Sequence, residues 1–389
     1  MDRKLDLTPD TLLEDAREAA GGLDDFGDPS FRSGLDVLVE TYESAGLNPG
    51  GRKRTRSRLV QLLSNRLMTE QAWKDHPEIR EVPIEKPVYL TGFPRTGTSA
   101  LFNLLGKDDD ARPLLLWEAM FPTPLGKELG PGEEDPRLVG MRAYYEYKRK
   151  SGKESAFDKI HFADAEVPEE CVLLQAHTFC DVQNGIEPLM SPYREYFEGS
   201  DLHAPYAYYA DMLRMLQFQR PGERWLLKSP AHLWAIDVLV EMFPDVCIIM
   251  THRDPMQILP SYCSMMEAVM SVREKVDKHE IGRSVLSHLG NLMDRGLAAR
   301  DTVGADRFID VDYREFVSDP LTSARRIYDY FEIEMTAQAE AAMKAHVDAN
   351  PSGKHGKHEY DLSEYGLSAG QVRERIGGYL ERFDVPFSG

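Results

Sequence analysis

Apolar residues recur along this chain in two rhythms. Residues 8–20, 30–46 and 55–76 space them as amphipathic helices do, and residues 8–20 add a proline near the start with acids in the first turn. Residues 87–91, 224–227, 246–251 and 307–311 instead carry short apolar runs, which predict strands, with helical segments between them. Strands alternating with helices predict an α/β fold: a three-layer arrangement with a central parallel sheet flanked by helices, preceded by an N-terminal helical extension. The expected organisation is a helical extension over 1–85, an α/β core over 86–335, and a C-terminal helical segment over 336–389. Within the core, residues 107–223 are rich in Pro, Gly, Tyr and charge, with helices predicted near 136–150 and 166–178, and read as insertions that shape a pocket. A last amphipathic helix is predicted within 363–383.

Charge narrows the partners. A formal net charge of −19 opposes a long nucleic-acid footprint, which needs clustered Lys and Arg, so an anionic ligand would require a local basic pocket. The basic run 51–58 is better read as a solvated helix start than as an anion site. Four cysteines, Cys171, Cys180, Cys247 and Cys263, have neither paired metal spacing nor the density of a disulfide scaffold, which points to reduced thiols and a cytoplasmic location. No apolar run approaches a membrane span in length.

The segment from Val88 to Leu101 runs from an apolar strand into a glycine-punctuated turn and then a helix. Gly92, Gly97 and Ser99 fit the P-loop pattern, in which backbone N–H groups at a helix start cradle phosphate. Thr98, however, stands where the P-loop lysine belongs, and the positive charge sits inside the loop as Arg95. That exchange argues against ordinary ATP or GTP chemistry, because the lysine is what reaches the outermost phosphoryl group.

A second anion element follows the strand at 246–251, which delivers Arg253 to its C-terminal end; Asp254-Pro255 starts the next helix and Ser261 lies about two turns along it. A third strand ends in Lys228-Ser229-Pro230, placing an ammonium at the same edge of the sheet. Read together over most of 86–331, these elements resemble the sulfotransferases that use 3′-phosphoadenosine 5′-phosphosulfate (PAPS), in particular bacterial sulfotransferases related to the tyrosylprotein type. The resemblance implies that Arg95, Thr96, Gly97, Thr98 and Ser99 hold the 5′-phosphosulfate. It also implies that Arg253 and Ser261 hold the 3′-phosphate, that Tyr313 contacts the nucleotide, and that Lys228 stabilises charge on the oxygen bridging sulfur and phosphorus. Two features depart from cytosolic members of the family: Arg95 replaces their usual lysine, and the nearest counterpart of their C-terminal basic nucleotide loop is 351–358.

Sulfuryl transfer needs a base for the acceptor proton. Glu118 lies among apolar and aromatic neighbours in the run 113–122, which could raise its pKa, and its spacing after the loop resembles the glutamate base of tyrosylprotein and some bacterial sulfotransferases. Glu170, His161 and His232 rank behind it. Asp310 and Asp312 follow a strand as Walker-B acids do, but the absent P-loop lysine weakens that reading.

The expected activity is direct in-line transfer from PAPS, leaving the 3′,5′-bisphosphate product PAP, to a hydroxyl or amine acceptor, with no metal required. The acceptor expected is a small molecule, lipid or carbohydrate, with Tyr144, Tyr145, Tyr147, Tyr206, Tyr208 and Tyr209 as aromatics that would line a pocket or simply pack. A homodimer is left open. The rival readings are a divergent P-loop nucleotide kinase or NTPase, and a nucleotide-binding protein without catalysis.

Overall fold

The four apolar runs become four strands of one parallel sheet in the computed structural model of the chain, which describes residues 5–126, 129–152, 163–182, 184, 192–350 and 361–389. These strands are β1 (Val88–Gly92), β3 (Arg224–Lys228), β4 (Cys247–His252) and β5 (Phe308–Asp312); β2 (Ala111–Pro113) completes the sheet in the order β2-β3-β1-β4-β5. Every pairing is parallel, with Val88 opposite both Leu226 and Cys247, and Ile249 opposite Ile309. All five residues of β1 and all six of β4 are buried, as expected of strands with a neighbour on either side and helices over both faces. From β1 the chain leads toward β3 and β2, and from β4 it leads the other way to β5. The carboxyl ends of β1 and β4 therefore border a topological switch point, where open α/β sheets bind ligands.

The chain divides into two compact units, each assembled from discontinuous stretches. The sheet belongs to the unit made of Ile84–Leu114, Gly222–Ser264 and Asp277–Gly389. One face of its core joins Leu90, Leu226, Ile249 and Val311 of the strands to Leu101, Phe102 and Leu105 of the helix Thr98–Leu105, with Ile327, Tyr328 and Met343 beyond. The short edge strand β2 is tied in by Arg112, whose guanidinium stacks 3.7 Å from the Trp225 ring centroid.

The other unit, Met1–Pro83, Leu115–Pro221 and Met265–Val276, is helical among its described residues apart from isolated bridges. Its longest helix, Pro49–Asp75, starts six residues earlier than the apolar spacing predicts, because Asn48 caps it through Gly51 N–H (2.8 Å) and Pro49 suits the first turn. The basic run therefore lies within the helix, where Arg52 pairs with Glu43 and Arg56 with Asp15. Arg66 is fully buried in this unit. Its guanidinium donates to the carbonyls of Phe26, His177 and Asp28 and packs over the rings of Phe31 and Tyr208, the partners a buried charge requires. The helix Pro136–Ser151 matches the predicted one, whereas 166–178 holds a turn, the single helical turn Val172–Gln175 and a 3-10 turn. In the sheet-bearing unit the tail splits at Gly366, left-handed at φ 66°, into a 3-10 turn Leu362–Tyr365 and the helix Ala369–Arg382.

Candidate active site

The loop after β1 is shaped by backbone conformations that side chains resist. Gly92 has φ 130°, and a Cβ there would lie 2.5 Å from the Thr251 carbonyl oxygen; Gly97 has φ 87°, and a Cβ would lie 2.8 Å from the Tyr313 ring. Between them Arg95 adopts φ 66°, a left-handed conformation uncommon for arginine and a mark of loops held in a working shape. Thr96 locks the turn from inside, its hydroxyl donating to the Phe93 carbonyl at 2.7 Å and lying 2.6 Å from the Thr251 hydroxyl. The helix Thr98–Leu105 then begins at Gly97 without a side-chain cap, so its first N–H groups are oriented donors for an anion.

A lysine lies beside this helix start at the end of β3. Lys228 is buried, 2% exposed, and its Nζ donates to Ser99 Oγ at 3.0 Å. Arg253, directly after β4, donates through Nη1 to the Arg95 carbonyl (3.0 Å) and through Nε and Nη2 to Gln257 Oε1 (3.2 and 3.0 Å), and stacks 4.0 Å from the Tyr313 ring centroid. Tyr313 thus packs between Gly97 and Arg253. Ser261 accepts from Arg95 Nε at 3.1 Å, so its hydroxyl meets the loop arginine in this state. The sheet unit brings together Arg95, Thr96, Gly97, Thr98, Ser99, Lys228, Arg253, Ser261 and Tyr313.

Among the described residues, neither Arg95 nor Arg253 forms an ion pair with a carboxylate. An arginine that served only to pair with a nearby acid would show one. Burial instead lowers the Arg253 pKa, with the Arg95 charge adding to the effect, so an approaching anion would relieve an existing electrostatic cost.

The Walker-B-like acids are committed elsewhere. Asp310 receives both Arg300 Nη atoms (2.7 and 2.8 Å) and His252 Nε2 (2.8 Å), and the Arg300 and His252 interactions outweigh its burial to hold its pKa far below the ordinary value. Asp312 caps the helix Tyr313–Ser318 through Arg314 N–H at 2.7 Å.

The candidate bases have contrasting surroundings. Glu118, in the helical unit, is 1% exposed, but its carboxylate is not in the purely apolar setting its sequence neighbours suggest. Arg220 grips it with Nε on Oε1 and Nη2 on Oε2, both 2.9 Å, and Leu115 N–H donates to Oε2 at 3.1 Å. Nothing in the sequence near Glu118 signals Arg220, which lies at the far end of the helix His203–Gln219. Glu170 donates its backbone N–H to Glu169 at 2.9 Å. His232 is a core imidazole set edge-on to Tyr89 (4.7 Å), with burial lowering its pKa to about 3. His161 and the loop 351–358 lie outside the described residues. Of the aromatics, Tyr206 and Tyr209 are buried and Tyr208 packs edge-on against Trp73, whereas Tyr144 and Tyr147 are exposed.

A P-loop-like turn without its lysine, an arginine at the end of β4 and a lysine at the end of β3 stand together on a parallel α/β sheet of the P-loop-like kind. A profile of the sulfotransferase family matches residues 87–337, and the chain belongs to that family. Across nearly its whole length it is similar to the crystal structure of sulfotransferase STF9 from Mycobacterium avium, at 29% identity with a TM-score of 0.90, covering 99% of this chain and 98% of that one. Sulfotransferase STF1 from Mycobacterium tuberculosis H37Rv is 30% identical, with a TM-score of 0.84 over 95% of this chain and 98% of its own. Among curated relatives, the omega-hydroxy-beta-dihydromenaquinone-9 sulfotransferase Stf3 of Mycobacterium bovis is 28% identical over 107 residues; the match spans 27% of this chain and 28% of that relative.

Proposed function

We propose that this protein transfers a sulfuryl group from PAPS to the hydroxyl or amine of a small-molecule, lipid or carbohydrate acceptor. The observation that carries the reading is Arg253: a half-buried guanidinium at the end of β4, oriented by Gln257, the Arg95 carbonyl and Tyr313, and paired with no carboxylate among the described residues. A 3′-phosphate supplies the charge this site lacks, and ATP carries none at that position.

The residues present fit the donor. The uncapped N–H groups of the helix Thr98–Leu105, Arg95 and Ser99 would hold the 5′-phosphosulfate; Arg253 and Ser261 would take the 3′-phosphate; Tyr313 would flank the nucleotide. The donor contributes the activated sulfuryl group. Lys228, buried beside Ser99, places positive charge where negative charge develops on the leaving phosphate, the electrostatic stabilisation that dominates such transfers. Glu118 would accept the acceptor proton, with the Arg220 fork fixing the direction of its carboxylate. The transferred group carries less charge than a phosphoryl group, so the arginines and lysine would suffice without a magnesium clamp.

For the acceptor, the name of the curated mycobacterial relative favours an alcohol on a lipid. None of the described helices is long and apolar enough to cross a membrane, and all four cysteines are buried free thiols. Transfer of radiolabel from PAPS to an alcohol in the presence of a chelator is the expected result; magnesium-dependent ATP cleavage without transfer would contradict the proposal.

A further inference from the structure

Arg253 lies in the two-residue link between the end of β4 at His252 and the helix that starts at Pro255, so its direction depends on what holds that link as well as on its own side-chain contacts. Its two sequence neighbours are gripped by the C-terminal end of the chain, within the same unit. His252, 3% exposed, lies under the ring of Phe383, with centroids 4.1 Å apart and planes at 26°. Its Nδ1 is 3.3 Å from the Tyr379 hydroxyl, while its Nε2 is fixed on Asp310, itself held by Arg300. Asp254 accepts the backbone N–H of Ser388 at 3.0 Å on Oδ2 and that of Met256 at 2.9 Å on Oδ1.

Tyr379 is the centre of this grip. It is 2% exposed, and its hydroxyl lies 3.3 Å from Nδ1 of His252, the residue directly before Arg253. Its ring meets Phe93 of the loop after β1 edge-on at 4.9 Å. One side chain therefore touches both elements: the loop through its ring on Phe93, and the end of β4 that carries Arg253 through its hydroxyl on His252. A kink at Ile376, where the helix Ala369–Arg382 departs to φ −126°, falls just before Gly377 and Gly378 and re-aims the last turn that carries Tyr379.

We infer that Tyr379 is a positioning residue for the donor site: its hydroxyl, set against His252 immediately before Arg253, steadies the strand end from which the Arg253 guanidinium is directed and thereby the preference for a 3′-phosphorylated nucleotide. The inference rests on the donor assignment proposed above. It makes the C-terminal helix and the tail that follows it a working part of the nucleotide site, contributed from residues more than a hundred positions away in sequence. Touching no donor atom itself, Tyr379 acts through Arg253.

The test is a ratio. Calorimetric affinities for adenosine 3′,5′-bisphosphate and adenosine 5′-phosphate are compared in the wild type, in Tyr379→Phe, which keeps the ring against Phe93 and removes the hydroxyl, and in Phe383→Leu, which loosens the stack on His252. The wild type is expected to prefer the bisphosphate. Tyr379→Phe is expected to weaken the bisphosphate roughly threefold to tenfold, the range of one hydrogen bond, and to leave the 5′-phosphate within about twofold. Phe383→Leu is expected to shift the same ratio in the same direction. Equal weakening of both ligands, or an unchanged ratio in both variants against a wild type that prefers the bisphosphate, would overturn the positioning role and leave the donor assignment standing. A wild type without preference would overturn the donor assignment and this inference together.

Discussion

Arg253→Ala removes a guanidinium at the switch point that is half-buried, stacked on Tyr313 and, among the described residues, unpaired with any acid. A charge-assisted hydrogen bond contributes about 1.5–3 kcal/mol, and a guanidinium can give a phosphate two in parallel. Partial exposure reduces the sum, so the loss expected for a 3′-phosphorylated ligand is about 3 kcal/mol, or ~10²-fold in Kd. Arg253→Lys keeps the charge but not the fork and is expected to lose roughly tenfold. The side chain's contacts with Gln257 and the Arg95 carbonyl are also broken, which is why the comparison ligand matters. Adenosine 5′-phosphate uses the same loop but has no group for Arg253, and its affinity is expected to change by less than about threefold. Isothermal titration of both ligands against wild type and variants measures this. Parallel losses for the two ligands would refute the reasoning, because they would show that Arg253 supports the loop and does not read the 3′ position.

Glu118→Gln keeps the side-chain shape and removes the basic oxygen; kcat is expected to fall by ~10² or more, the lower end for loss of a general base, with donor affinity within about twofold. If the carboxylate serves only its Arg220 pair, Glu118→Gln and Arg220→Gln will instead lower the urea midpoint together while turnover persists. A pH signature is expected in the helical unit. Burial lowers the His177 pKa to about 4, so the unfolded chain binds that proton first and stability falls as pH drops from about 6.5 to 4. Burial raises the Asp181 pKa to about 6, so the folded chain binds that proton first and stability rises as pH drops from about 6 to 4. The two oppose each other; Asp181→Asn is expected to steepen the acid-side loss by up to about 1.4 kcal/mol per pH unit, read from urea midpoints between pH 4 and 7, and parallel profiles for wild type and variant would contradict it.

The sheet was legible because β1, β3 and β4 are almost wholly buried and β5 keeps Phe308, Ile309 and Val311 buried, so each appears as a short apolar run: each of the four predicted runs agrees with its strand to within one residue at either end. β2 was not legible. Three residues containing Arg112 and Pro113 carry no periodic signal, and the strand exists because β3 offers an edge and Trp225 a surface for the guanidinium. The placement of the loop, Arg253 and Lys228 at strand ends was readable because each stands at or directly after the end of a predicted strand, so local sequence order predicts a shared edge. What sequence could not show is long-range pairing. Arg220 on Glu118, Asp310 bound to Arg300 and His252, and Tyr379 against Phe93 join residues whose neighbours look like ordinary helix or strand. The two units raise the same difficulty, since 265–276 groups with Leu115–Pro221 through tertiary contact alone.

The central claim is that the altered P-loop and its partners serve sulfuryl transfer, and labelled-donor turnover tests it most directly. With 35S-labelled PAPS, a chelator and a panel of lipid and small-molecule alcohols, the account predicts label on an acceptor and equimolar release of the 3′,5′-bisphosphate. Release of γ-phosphate from ATP that requires magnesium, with no label moved to any acceptor, would contradict it.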